Sequence, residues 1–393
     1  MKRIYLDNAA GTPIDAGVLK KMMPFLKENF GNPSSLYKEG VWASTAVASA
    51  RESIAKSVGV LPSEIIFTGS GTESDNLAIL GTVSAFLSKR AKGVKTKPHI
   101  ITGSVEHMAV LGVIEELEKK GIVEATYISV DAKGAVSLEE LKSALKENTV
   151  LVSIMYANSE VGTIQPIRDV AKIVKKYREL KKTNYPYVHT DACQAMNYLD
   201  TRVESLGVDL MTFNGSKIYG PKGVGILVSK HYVDIDPIVF GGGQEKGMRS
   251  GTENVAGIVG TAAALEIAEK MKKGEVKRLT SLRDHFMKKL EKTIPNVTIN
   301  GDRIDRLPNN VHITIPNIED DVLVIALDAK GVACSSKSAC KMAVGGESHV
   351  IKAMKGKAEG SHLRFTLGRS TTKKDIDYTV AVLGKILEKY KNI

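Results

Sequence analysis

Residues 64–79 read EIIFTGSGTESDNLAI. A short β-rich apolar run enters a Gly-Ser-Gly turn, and helical spacing follows it. A strand that passes through a small-residue turn into a helix is the unit from which α/β folds are assembled. Outward from this unit lie six further strand-like runs: HIITGS (99–104), EATYISV (124–130), VLVSIM (150–155), YVHT (187–190), DLMTFN (209–214) and GVGILVS (223–229). Helical periodicity separates most of them, over Thr72–Arg90, His107–Lys120, Leu138–Glu147 and Pro166–Lys182. Runs that are apolar on both faces predict a mainly parallel seven-stranded sheet with helices on both sides. The last connections are shorter, which leaves room for an antiparallel member.

Beyond Asn254 the texture changes. Two helical stretches, Asn254–Lys272 and Glu275–Lys292, lead into fewer strands, NVHITI, GVACS and HLRFTL, and a final amphipathic helix spans Lys373–Lys389. The expected organisation is a large α/β domain over 15–255 and a smaller α+β domain made of 1–14 and 256–393.

Composition bounds the function. At 393 residues the chain exceeds the usual size of one core, and its 43% apolar and 25% charged residues are those of an ordinary globular protein. MKRIYLDNAAGTP lacks the apolar core of a signal peptide, and no apolar run is long enough to span a bilayer. Cys193, Cys334 and Cys340 form no C-x-x-C pair. That argues against a disulfide framework and a metal site, and favours a reducing cytoplasm. The net charge of +11 is spread over many helices rather than gathered in one block, and no nucleic-acid-binding module is recognisable.

Four local features fit one ligand chemistry. In GSGTESDN (69–76) a small-residue turn opens a helix, an arrangement suited to an anion but common in tight connections. In HTDACQA (189–195), Asp191 ends a strand, where it can hold a protonated pyridine nitrogen or cap a helix. In NGSKIYGPKGVG (214–225), Lys217 sits among small residues after a strand, where a buried amine can form a Schiff base with an aldehyde. His107 follows HIITGS and reads either as an acid/base at the same sheet edge or as a structural histidine.

YLDNAAGTP, FGNPSS, TESDNLAI, Glu106–His107, GPKGVG, GGGQEKGMRSGTEN, SSKSAC and LRFTLGR occur in that order along essentially the whole chain. Together they resemble the cysteine desulfurase family of fold-type I pyridoxal-phosphate (PLP) enzymes. The likeness is strongest to the branch that supplies sulfur for iron–sulfur clusters and tRNA thiolation. The resemblance implies that Lys217 is the Schiff-base lysine, Asp191 the pyridinium partner and Gln194 a donor to the phenolic oxygen of the ring. It makes His107 the ring-stacking acid/base, and Gly71 and Thr72 part of the phosphate turn. Arg364 is implied to hold the substrate carboxylate. Thr252 is implied to reach the phosphate of a second subunit, hence a homodimer.

Cys340 lies in SACKMAVGGES, a segment rich in small residues that reads as a loop. By the same resemblance it takes sulfur from L-cysteine as a persulfide, releases L-alanine, and passes the sulfur to an iron–sulfur scaffold or a tRNA-thiolation enzyme. Lys337 and Lys341 flank it and favour the thiolate, whereas Cys193 and Cys334 read as packing residues. The chain departs from the family pattern at Gly11, Ser159, Asn214, Ser216 and Lys337. A histidine usually stands at 216, a serine at 214 and an asparagine at 159. Selenocysteine lysis and a PLP-binding sulfur-relay scaffold are the alternative readings.

Overall fold

The structure, a computed structural model, describes residues 3–89, 96–316, 318–336, 348–356 and 360–390. The chain opens with strand β1 (Ile4–Tyr5) and helices α1 (Ala16–Lys27) and α2 (Lys38–Val58). Strands and helices then alternate: β2 (Ile65–Thr68), α3 (Gly71–Lys89), β3 (His99–Gly103), α4 (Met108–Lys119), β4 (Glu124–Ile128), α5 (Leu138–Ala144), β5 (Thr149–Ser153), α6 (Ile167–Lys181) and β6 (Tyr187–Asp191). The short α7 (Val203–Leu206) precedes β7 (Leu210–Asn214) and β8 (Gly225–Ser229). The remainder comprises α8 (Val255–Thr293), β9 (Thr298–Ile299), β10 (Asn310–Ile315), α9 (Asp320–Asp328), β11 (Val332–Ala333), α10 (His349–Lys355), β12 (Ser361–Thr366) and α11 (Lys373–Tyr390).

Seven strands form the large sheet in the order β2-β8-β7-β6-β5-β3-β4. All run parallel except β8, which is antiparallel to both its neighbours. This is the reversed strand anticipated from the short connections. Adjacent residues point to opposite faces, as the pleat requires. Phe67, Val152, Val188 and Met211 join α2 and α6 in one core. Ile66, Leu151 and Leu210 join α3 and α4 in the other. Burial on both faces explains why these strands read as continuous apolar runs.

A separate core collects Phe286 and Leu290 of α8, Val311 and Ile313 of β10, Leu363 and Phe365 of β12, and Val380 and Leu383 of α11. The N-terminal Ile4 and Leu6 belong to it, because β1 pairs with β11. The two stretches expected over Asn254–Lys272 and Glu275–Lys292 are in fact one 39-residue helix, about 60 Å long. Ala262 and Leu265 pack in the large core, and Leu279 and Leu290 in the other. Packing at both ends outweighs the modest helix-breaking tendency of the exposed Gly274 between them.

The carboxyl ends of β2, β3, β6 and β7 share one edge of the sheet, and the reversed β8 starts there, with Gly225 opposite both Thr68 and Asn214. Crevices outside such an edge are where parallel sheets bind ligands. Among the described residues no helix is long and apolar enough to cross a membrane.

Candidate active site

Much of the site is built on the ends of these strands, with Ala9, Ala10 and Arg364 closing it from the other core. After β2 the chain turns through Gly69 and Ser70 into α3. The Glu73 carboxylate ties the turn down, accepting from the Gly69 N–H at 2.9 Å and pairing with Arg249 at 2.8 Å. A Cβ at Gly225 would lie 2.1 Å from the Ser70 carbonyl, so β8 must begin with glycine for the turn to sit there. After β6, the Asp191 Oδ1 accepts from the Cys193 N–H at 2.8 Å. Residues 192–198 form turns rather than a helix, so Asp191 caps none. After β7, Gly215–Lys217 makes a single tight turn. A Cβ at Gly215 would meet the Thr261 Oγ1 at 2.6 Å, and this close approach brings Lys217 back over the sheet edge.

These segments enclose a cavity of about 240 Å³. Gly71, Thr72, His107, Ser159, Asp191, Gln194, Asn214, Ser216, Lys217 and Arg364 all line it. Thr252 does not; it lies exposed beside Gly251, away from this chain's own cavity. Cys340, with Lys337 and Lys341, lies outside the described residues.

The Lys217 Nζ donates to the Ala9 and Ala10 carbonyls, each at 2.7 Å, and the Gln194 amide donates to Ala9 at 3.1 Å. Burial lowers the proton affinity of this amine, and the Arg364 charge pushes the same way. His107 both lines the cavity and starts α4: its Nδ1 accepts from the Ala109 N–H at 3.1 Å, which puts the proton of a neutral ring on Nε2. The structural and cavity-facing readings of His107 are therefore compatible. The Ser216 hydroxyl is 3.1 Å from the Asn214 Oδ1, leaving the Asn214 Nδ2 toward Cys193 and the Gly71 turn. Cys193 shares this wall, but burial, with Asp191 and Asp75 nearby, pushes its thiol well up. Burial likewise raises Cys334 to about 12.

Three acidic groups and one backbone turn were given no role from sequence. Asp75, one turn into α3, is buried on the cavity wall, with Oδ1 3.6 Å from the His189 Nε2. Burial and the Asp191 charge raise its carboxyl. Glu106 is buried and accepts from the Met155 N–H at 2.8 Å, and burial raises it too. Asp7 pairs with Arg364, and the carbonyls of Ala9 and Ala10 hold Lys217. The motifs TESDN, Glu106–His107 and YLDNAA contained these groups, but spacing alone does not distinguish them from turn and cap residues.

The class-V aminotransferase family model matches residues 4–379. The cysteine desulfurase IscS of Dictyoglomus turgidum is 46% identical over 396 residues, covering 100% of this chain and 97% of the relative. The chain belongs to the cysteine desulfurase family. The IscS of Methanosarcina thermophila is 42% identical, with 100% of this chain and 94% of the relative covered. A solved NifS-like protein superposes with a TM-score of 0.89 at 39% identity, over 98% of this chain and 99% of that one. SspA, solved in complex with cysteine, gives a TM-score of 0.77 at 32% identity, covering 93% of this chain and 98% of its own. The family accounts for the fold-type I sheet and for the order of the motifs along the chain.

Proposed function

We propose that this chain is a PLP-dependent cysteine desulfurase that converts L-cysteine to L-alanine and leaves the sulfur as a persulfide on Cys340. One observation carries the reading: a part-buried amine (Lys217), a strand-end carboxylate (Asp191) and a buried guanidinium (Arg364) face one cavity behind a glycine turn. The cradle fits a phosphorylated pyridine. A Cβ at Gly71 would sit 2.8 Å from the Asn214 Nδ2 and 3.0 Å from the Cys193 Sγ, so glycine lets the Asn214 amide close up to the start of α3, where a phosphate would be held. When bound, PLP supplies the electron sink for carbon–sulfur cleavage.

The roles of the residues follow from their surroundings. Asp191 would hold the ring nitrogen, Gln194 the phenolic oxygen, and Gly71, Thr72, Asn214 and Ser216 the phosphate. Lys217, biased by burial toward the free amine, suits covalent attachment and proton transfer at the substrate α-carbon. His107 would stack on the ring and move protons through Nε2, and Ser159 would border the substrate. Arg364 would take the carboxylate of L-cysteine through its fork. The C–S bond of the substrate breaks, an S–S bond forms on Cys340, and a proton returns to the substrate β-carbon. Burial keeps Cys193 and Cys334 as thiols, which leaves Cys340 as the sulfur carrier.

Two further readings accompany this one. A cytoplasmic location suits the low cysteine count, and the sulfur would pass to an iron–sulfur scaffold or a tRNA-thiolation enzyme. A homodimer is favoured by the exposed Thr252 and by Leu19, Leu26, Phe30, Leu36, Tyr37 and Trp42, all exposed on or between α1 and α2. Both helices pack on α8, and a second copy would cover these side chains.

Incubation with L-cysteine should yield alanine and a persulfide that peptide mapping places on Cys340. Cys340→Ser should bind L-cysteine but give neither product. Turnover kept in Cys340→Ser and lost in Cys193→Ser would mean that the sulfur carrier is misassigned. An active monomer in sedimentation would remove the composite site.

A further inference from the structure

Arg364 is 2% exposed, so its charge needs a counter-ion inside the protein. The counter-ion is Asp7: the Arg364 Nη2 donates to the Asp7 Oδ1 at 2.9 Å, while Nη1 donates to the Ser159 carbonyl at 3.2 Å. Nε has no partner among the described residues. A guanidinium carries five N–H donors, so donors remain for a second carboxylate. Asp7 is absent from the cavity lining, whereas Arg364 belongs to it. The acid therefore holds the guanidinium without itself lining the cleft.

The backbone holds Asp7 in register with Arg364. The Thr366 N–H donates to the Leu6 carbonyl at 2.7 Å, Thr366 forms a bridge with Asp7, and its hydroxyl accepts from the Ala9 N–H at 2.9 Å. The Asp7 carbonyl accepts from Ala10 and from the Tyr5 hydroxyl, which closes the turn. That turn is the one whose Ala9 and Ala10 carbonyls hold Lys217.

We propose that Asp7 is the positioning residue for substrate recognition: it balances the buried charge of Arg364 and fixes the orientation in which its remaining N–H groups meet the substrate carboxylate. This rests on the reading of Arg364 as the carboxylate holder. Without Asp7 the guanidinium would be a buried, unbalanced charge tethered by one backbone carbonyl, free to rotate its fork out of line. Asp7 touches neither the reacting carbon nor the sulfur, so its removal acts far more on binding than on the chemical step.

The experiment is a double-mutant cycle in the PLP-loaded enzyme with Asp7→Ala, Asp7→Asn and Arg364→Lys. Asp7→Ala should raise KM for L-cysteine, and the dissociation constant of L-alanine, about ten-fold. Asp7→Asn, which keeps the shape, should cause a smaller rise and remains readable if the alanine variant folds poorly. In both, kcat should stay within about two-fold, the pattern of lost uniform binding. Binding of 2-aminoethanethiol, which lacks a carboxylate, should be unchanged. In the Arg364→Lys background Asp7→Asn should add less than in the unaltered enzyme, because lysine keeps the charge but has no fork to orient. An unchanged KM in the Asp7 variants, or equal weakening of 2-aminoethanethiol, overturns the proposal while leaving Arg364 in its role. An Arg364→Lys enzyme with unaltered KM overturns the reading of Arg364, and the proposal with it.

Discussion

Asn214 and Ser216 depart from the family pattern together, and the structure couples them. By donating to the Asn214 Oδ1, Ser216 fixes which way the amide faces and leaves Nδ2 toward the Gly71 turn. In the proposed reading, the phosphate donor otherwise expected from a histidine at 216 would be supplied from 214. Asn214→Ala should speed PLP dissociation about ten-fold, the upper end for one neutral hydrogen bond. Ser216→Ala should have a smaller effect, and none once Asn214 is gone. Cofactor absorbance after dilution into an apo-protein trap measures both rates. Two unchanged rates would mean that the phosphate is held elsewhere. Lys217 and Asp191 were legible in the sequence because each lies at or just past the end of an apolar strand, and a strand end in a parallel sheet has a known address. Asp7 was not, because its partner lies 357 residues away and neither side chain carries a local signal of the other.

Among the elements, six of the seven strands of the large sheet were readable because burial on both faces keeps them mostly apolar, while β4 at the sheet's edge is only part-buried. The long helix α8 was not readable as one element, since Lys272-Lys273-Gly274 has the look of a linker. Tertiary anchors make the difference. Before the glycine, Lys272 donates to the Leu199 carbonyl. After it, Arg278 pairs with Glu275 and donates to the carbonyls of Gly368 and Thr371. Both flanks are thus fastened to neighbours, and the helix continues through a residue that disfavours it. A Cβ at Gly274 would meet nothing within 4 Å, and the site is exposed. Gly274→Ala should therefore stabilise the protein by about 1 kcal/mol, seen as a higher urea midpoint at unchanged slope. A lower midpoint would show that the helix uses its freedom at this residue.

Across the whole molecule, several ionisable groups are buried, and they set how stability depends on pH. His99 is fully buried between the Thr149 and Thr126 hydroxyls, and His189 between Ser153 and Thr212. Burial lowers each from 6.5 to about 4. Between those values the unfolded chain binds protons that the folded chain refuses, so stability falls as pH drops from 6.5 towards 4. Each imidazole accounts for on the order of 3 kcal/mol across that range. Asp75 and Glu106 act in the opposite sense: burial raises them, so the stability tied to their neutral forms is present at low pH and lost as pH rises through their folded values. Glu64, lowered to about 2 by hydrogen bonds that include Lys230, loses its contribution only below 4.5. The limb between 6.5 and 4 therefore belongs mainly to the buried histidines. His99 is the one to test, because it sits at the start of β3, at the opposite end of the strand from the cavity. His99→Gln keeps a donor and an acceptor for the two threonines but cannot take up a proton. Its thermal midpoint should fall less steeply between pH 6.5 and 4 than that of the unaltered protein, and the two curves should run parallel above pH 7. Equal slopes in the acid range would place the proton uptake on other groups.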